Sequence, residues 1–329
     1  MTFLTHFTIA LISLIVIVLS CVLFTNAIEF LGNKLKLGNS ATGSILAVFG
    51  TGLPETIVPV VAILGSYFSN SKIELAKDVA LGAVVGSPFM LSTLALFFLS
   101  IVLILKKKNR LYLDYKTAIR DYKYFLLGYI GAFIFSYFSN FKYIAIILLL
   151  ILYCIYVQRT ILKSRTTCIE CECERLYFSF KKEKLSLTLQ LLFSLILLVV
   201  SSHFFVCEIK YFSDILNISP LLLSLIITPF ATELPECINS IIWLYQGKDD
   251  LAIANILGAI VFQATVVFAL GILLTNWNFS TILIINFVST IIITLATTLS
   301  IMKFKKITLA NLFLCGIIYF AYFIFVLLK

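Results

Sequence analysis

The sequence predicts an all-α polytopic membrane protein: ten transmembrane helices arranged as two inverted five-helix repeats, with broken helices at the bilayer midplane. Three observations carry this. Of the 329 residues, 61% are apolar and only 12% charged, the mean hydropathy is +1.08, and several apolar runs exceed the roughly 18 residues that a span requires. A short pattern, Thr-x-Leu-Pro-Glu, occurs twice inside such runs, in Gly50-Thr51-Gly52-Leu53-Pro54-Glu55 and in Ala231-Thr232-Glu233-Leu234-Pro235-Glu236. Finally, the basic residues gather in alternate gaps between the runs.

Taken in order, the spans have approximate cores at 8–31, 42–66, 79–105, 124–139, 141–159, 185–207, 218–246, 250–274, 280–302 and 308–328. The first lacks a basic start and is too long for a cleaved leader, so it is kept as a span. The fourth and fifth need a tight turn at Ser139-Asn140-Phe141-Lys142. If the gap after the first span is cytoplasmic, 20 of the 25 Lys and Arg residues fall on the cytoplasmic side. This puts both termini outside the cytoplasm of a plasma-membrane protein. Five spans per half is an odd number, so the two halves face opposite ways. The halves are 1–160 and 185–329, joined by a cytoplasmic linker over 161–184.

The two Pro-Glu turns are where chemistry concentrates. A charged carboxylate in hydrocarbon costs roughly 2.5 to 3.5 kcal/mol even on lenient insertion scales, so Glu55 and Glu236 need a cation or a proton. Pro54 and Pro235 have no N–H to give to the carbonyls four residues back, those of Gly50 and Ala231. Thr51 and Thr232 stand four residues before the glutamates and share their helix face. Each turn thus offers a freed carbonyl, a hydroxyl and a carboxylate, an oxygen-rich set suited to a hard cation. Glu233 lies three residues before Glu236. Three clustered carboxylates cannot all stay ionised unless a divalent ion neutralises most of the charge.

The duplication continues beyond the turns. Asp78-Val79-Ala80-Leu81-Gly82-Ala83-Val84-Val85-Gly86-Ser87 aligns without a gap on Asp250-Leu251-Ala252-Ile253-Ala254-Asn255-Ile256-Leu257-Gly258-Ala259. Small residues at 82, 83 and 86, and at 254, 258 and 259, predict close helix packing.

With these residues in view, the chain resembles the cation/calcium exchanger superfamily, the group that contains the sodium/calcium exchangers. Its hallmark is two inverted α-repeats, each with a Gly-Thr-Ser-Leu-Pro-Glu turn followed by a Gly-Ser-Asn helix. The likeness covers about 38–105 and 217–275. The resemblance implies a cation site between the repeats, alternating access through sliding of the first and sixth helices, and exchange of Ca2+ for Na+, H+ or K+. It gives Glu55 and Glu236 the role of central cation ligands, with Thr51 and Thr232 beside them and Ser87 as a sodium ligand. Gly52 and Glu233 depart from the two family serines and Ala259 from the second-repeat serine. Pro88 and Ile260 replace the asparagines that follow, and Leu91 and Gln263 stand where the family has Asn or Asp. These changes remove hydroxyls and amides from sodium-type positions and add a carboxylate.

The expected function is therefore a secondary-active antiporter, exchanging Ca2+ for Na+ at a site built from Glu55, Glu236, Thr51, Thr232, Glu233, Ser87, Gln263 and the carbonyls of Gly50 and Ala231. Proton-coupled exchange is the alternative, and a passive channel or an intramembrane enzyme are more distant ones. The expected partners are inorganic cations and membrane lipid, not nucleic acid, for a monomer or weak homodimer. No cofactor is expected, since no Gly-x-x-x-x-Gly-Lys loop is present.

The remaining features read more plainly. Glu29 and Glu208 read as solvated carboxylates near helix ends, with a vestibule ligand attracting cations as the alternative, His203 as interfacial, and His6 as part of an N-terminal tail. The run Lys106-Lys107-Lys108-Asn109-Arg110 is a stop signal and a candidate for contact with anionic lipid. Cys168, Cys171 and Cys173 sit in the linker as reduced thiols, with a regulatory metal as the alternative. The eight cysteines imply no disulfide framework.

Overall fold

The computed structural model describes residues 3–34, 44–45, 48, 52–68, 73–111, 113–137, 141–164, 175–178, 183–216, 220–275, 277 and 280–327. Gly50, Thr51, the side chain of Glu29 and the three linker cysteines lie outside the described residues.

The helices are α1 (Phe3–Lys34), α2 (Leu53–Phe68), α3 (Ile73–Met90), α4 (Leu96–Leu105), α5 (Tyr115–Tyr137) and α6 (Lys142–Ser164) in the first half. In the second half they are α7 (Glu183–Leu216), α8 (Pro220–Thr232), α9 (Leu234–Tyr245), α10 (Asp249–Phe262), α11 (Phe268–Leu274), α12 (Thr281–Phe304) and α13 (Leu309–Leu327). Seven helical stretches among the described residues are long and apolar enough to cross a membrane: Phe3–Phe24, Ala76–Leu105, Lys142–Lys163, Glu183–Ile209, Asp249–Leu274, Thr281–Phe304 and Leu309–Val326. The other three expected spans coincide with α2, with α8 plus α9, and with α5. Among the described residues α2 begins at Leu53, and α8 and α9 are separated at Glu233, so no single described piece has full length.

The third is a boundary correction. The helix begins at Tyr115, nine residues before the expected start at 124. Charged residues in its first turns made it read as a gap. Asp121 is fully buried and Arg120 holds it at 2.7 Å, so the pair enters the helix as a neutral unit.

One order of elements occurs twice: a long helix, an interrupted helix, a helix with a π-segment, and two further helices. The π-segments, Leu91–Ala95 between α3 and α4 and Gln263–Val267 between α10 and α11, stand at equivalent places in the two halves. Within them Thr93 and Thr265 occupy the same position and each donates to the carbonyl four residues back, Phe89 at 2.5 Å and Val261 at 2.6 Å. Inserted π-turns widen a helix locally and are frequent at functional sites. Nothing in the apolar sequence signalled them.

Contacts link the helix ends and loops in pairs. Lys34 pairs with Glu183, Lys108 with Asp249, and β1 (Arg110–Leu111) pairs antiparallel with β2 (Ile307–Thr308). His6 meets Glu208 at 2.7 Å and Lys142 donates to the Leu273 carbonyl. The contact between His6 and Glu208 was not expected from the sequence. It corrects two readings: Glu208 is buried, not solvated, and His6 belongs to α1, stacked on Tyr211 with 3.4 Å between ring centres.

α1 lies along α7, and α3 packs against α8. Two glycines bring the halves to backbone contact. A Cβ on Gly86 would sit 2.5 Å from the Leu225 carbonyl oxygen, and a Cβ on Gly258 would sit 2.5 Å from that of Ser44. In the alignment of the repeats Gly86 matches Gly258 and Ser44 matches Leu225, so these are one contact made twice. Only glycine allows helices so near.

Candidate functional site

The interrupted helices place the carboxylates. In the second half the interruption is a single residue: Glu233 stands between α8 and α9. Its N–H still donates to the Pro229 carbonyl at 2.9 Å, and its carbonyl accepts from Cys237 at 3.0 Å. In the first half the equivalent Gly52 N–H donates to the Val48 carbonyl at 2.7 Å. The turn at Glu233 is thus a short break in nearly continuous helical phase. Pro235, lacking an N–H, leaves the Ala231 carbonyl without that donor.

Glu55, Glu233 and Glu236 are all buried and converge, each with a carboxylate oxygen within 4.8 Å of the others. Two halves of the chain therefore bring three acidic groups to one point enclosed by protein. Among the described residues, neither oxygen of Glu55 has a hydrogen-bond partner, nor does Oε2 of Glu233. Buried carboxylate oxygens left this way are costly unless something supplies positive charge or a proton. Oxygen ligands from several carboxylates at such separations are the donor set of a hard divalent cation.

Gln263, the first residue of the second π-segment, donates its amide to Glu233 Oε1 at 2.7 Å. Ser87, on α3, is buried beside Glu233. Thr232 is also buried, but its hydroxyl reaches back toward the Pro229 carbonyl at 3.5 Å. Of the predicted residues, the structure thus gathers Glu55, Glu233, Glu236, Ser87 and Gln263, with Thr232 and the Ala231 carbonyl at the adjoining turn.

Two supporting residues escaped the sequence reading. Asn255 donates to the Glu236 carbonyl at 3.2 Å and to Ser240 at 3.0 Å, bracing α9 against α10. The available signal was a lone amide in a run of small and apolar residues, where the first repeat has Ala83. Phe262 packs beside Gly52, where a Cβ would lie 2.6 Å from the Val48 carbonyl oxygen and 3.0 Å from the Phe262 ring. Position 52 is the counterpart of 233, and the Val48 carbonyl and this ring together leave no room there for a matching carboxylate.

The fold and this cluster define a polytopic membrane protein with duplicated helix breaks enclosing a cation-type site. Residues 5–162 and 186–329 match the family described as sodium/calcium exchanger protein, and the chain belongs to that family. Over 84 residues it is 36% identical to a putative antiporter, CaxA, from Alkalimonas amylolytica, a match spanning 26% of each chain. The crystal structure of an H+/Ca2+ exchanger, CAX, superposes with a TM-score of 0.79 at 17% identity, covering 98% of this chain and 86% of that one. The sodium-calcium exchanger NCX_Mj superposes with a TM-score of 0.66 at 22% identity, covering 98% of both chains.

Proposed function

We propose that the chain is a secondary-active antiporter that carries Ca2+ at the Glu55–Glu233–Glu236 cluster, with alternating access from the two faces. The observation that carries this reading is the convergence of three buried carboxylates within 4.8 Å from two equivalent helix breaks. A divalent ion cancels two of three negative charges. An unloaded, charged cluster resists passing through an enclosed state, and loading relieves that resistance. The antiporter relative and the exchanger family support the same class. Thr51, Thr232, Ser87, Gln263 and the carbonyls of Gly50 and Ala231 are the additional oxygen donors in this reading.

Exchange against Na+ follows from the family resemblance. A specific feature favours protons as a second reading: Glu233 adds a third carboxylate, while Gly52, Ala259 and Leu91 lack the groups expected of a sodium site. We read 1–160 and 185–329 as inverted halves joined by 161–184, with both termini outside the cytoplasm.

Flux into proteoliposomes with Ca2+, Na+ and H+ gradients imposed singly tests this. Glu55→Gln and Glu236→Gln are expected to abolish exchange. Glu233→Ser is expected to alter the counter-ion or the pH dependence more than binding. Full transport by Glu55→Gln would refute the site, and uptake that follows Na+ while ignoring pH would remove the proton reading.

A further inference from the structure

The face that carries the β1–β2 bridge holds more lysines than its acids can occupy. Asp114 is paired with Lys163 at 2.6 Å, Asp249 with Lys108 at 3.5 Å, and Asp250 accepts the Asp114 N–H at 2.8 Å. Lys106 donates to the Tyr245 carbonyl and covers that residue's ring. The basic run is thus partly turned inward, as a clip onto the α9–α10 turn. Lys107, Lys303 and Lys305 are exposed and have no acidic partner among the described residues, although Lys303 lies over the Phe304 ring at 5.3 Å and Lys305 over the Tyr115 ring at 5.6 Å.

Backbone geometry singles out two of these. Lys107 and Lys305, with φ of 55° and 53°, are the only non-glycine residues among those described with positive φ. Each lies just beyond a helix, α4 and α12, in the left-handed conformation for which glycine is the usual choice. The α9–α10 turn on the same face does use glycine, Gly247 with φ of 82°. A lysine kept twice at strained positions points to a use for its side chain.

The surroundings say what that use is. Leu105, Phe304 and Met302 are each half exposed or more, and such large apolar surfaces persist only against acyl chains. In a bilayer, ammonium groups on residues immediately adjoining such surface reach up to the headgroups. We propose that Lys107, Lys303 and Lys305 form a docking surface for the headgroups of anionic phospholipids, spanning the bridge that ties α4 of the first half to α12 of the second.

The test is native mass spectrometry of the full chain in detergent, titrated with phosphatidylglycerol or phosphatidylcholine. The native chain is expected to retain phosphatidylglycerol preferentially, on the order of fivefold for each lysine engaged. K107G/K305G is expected to reduce that preference by at least about fivefold without lowering the melting temperature, because glycine suits both backbone positions; K107N/K305N is expected to do the same. Lys34→Gln, at a lysine already paired with Glu183 at 2.6 Å, should leave it unchanged. Equal retention of the two lipids by the native chain overturns the proposal, as does an undiminished preference in the glycine variant. Displacement of the lipid by inorganic phosphate at equal concentration would make this a free-anion site and overturn the lipid assignment.

Discussion

The twin glycine contacts predict how each face of the site opens. A Cβ on Gly258 would lie 2.5 Å from the Ser44 carbonyl oxygen, while ordinary contact begins at 3.4 Å, so the backbones must part by about 0.9 Å, the difference between those distances. Overpacking of this size costs about 1 to 3 kcal/mol. If the contact is closed in one state and open in another, Gly258→Ala penalises only the closed state and shifts the balance about 5- to 150-fold. Gly86→Ala does the same on the opposite face. Cys237, buried and adjoining Glu236 in sequence, is a native reporter. With the other seven cysteines replaced, a small membrane-impermeant thiol reagent should label Gly258→Ala faster from the face bearing the β1–β2 bridge and Gly86→Ala faster from the face bearing His6. Transport should slow in both variants, since each favours one end of the cycle. Equal labelling from the two faces, or native flux in both variants, would refute the reasoning.

Further outcomes follow from individual contacts. Gln263→Leu removes the 2.7 Å donor to Glu233; a hydrogen bond to a charged group contributes roughly 1.5 to 3 kcal/mol, so the apparent Ca2+ affinity in flux titrations should change by at least tenfold. His6→Phe retains an aromatic ring over Tyr211 but strips buried Glu208 of its 2.7 Å partner, and should lower stability by about 1 to 3 kcal/mol in thermal unfolding. Burial pulls the Asp114 carboxyl upward, but hydrogen bonds from Lys163 and Thr117 outweigh it and hold it at about 2, below its ordinary 3.8. A carboxyl lowered by folding stabilises above its unfolded value and loses that contribution as pH falls toward 2. This pair is half exposed, so Asp114→Asn should cost under about 1 kcal/mol at pH 7, with the difference in melting temperature narrowing at pH 3.

What the sequence revealed was whatever hydropathy and pattern encode locally. The Pro-Glu turns were legible because a carboxylate beside a proline is conspicuous in an apolar run. The start of α5 was not, since hydropathy counts Arg120 and Asp121 as two charges while the folded chain carries them as one neutral pair. The partnership of His6 with Glu208, 202 positions apart, leaves no local trace. Nor do the π-segments, whose sequences Leu-Ser-Thr-Leu-Ala and Gln-Ala-Thr-Val-Val agree only at the threonine.

The deepest feature is where the duplication fails. Backbone contacts repeat nearly to the atom: Gly52 to Val48 and Glu233 to Pro229, Gly86 to Leu225 and Gly258 to Ser44. The side chains at the centre do not. Position 233 holds a carboxylate tethered by Gln263, whereas its counterpart is Gly52, packed under Phe262, and the counterpart of Gln263 is Leu91. A symmetric scaffold can close on either face with similar contacts, which is what exchange between two equivalent states demands. A symmetric site with four carboxylates would bind a divalent ion with excess negative charge and release it poorly. With Gly52 hemmed in by the Val48 carbonyl and Phe262 in one half and Glu233 in the other, the chain keeps three carboxylates, which in the proposed reading hold a divalent ion without trapping it. Gly52→Asp should therefore do more than clash with that ring: where the variant folds, Ca2+ binding should tighten as turnover falls, and faster exchange would contradict this account of the asymmetry.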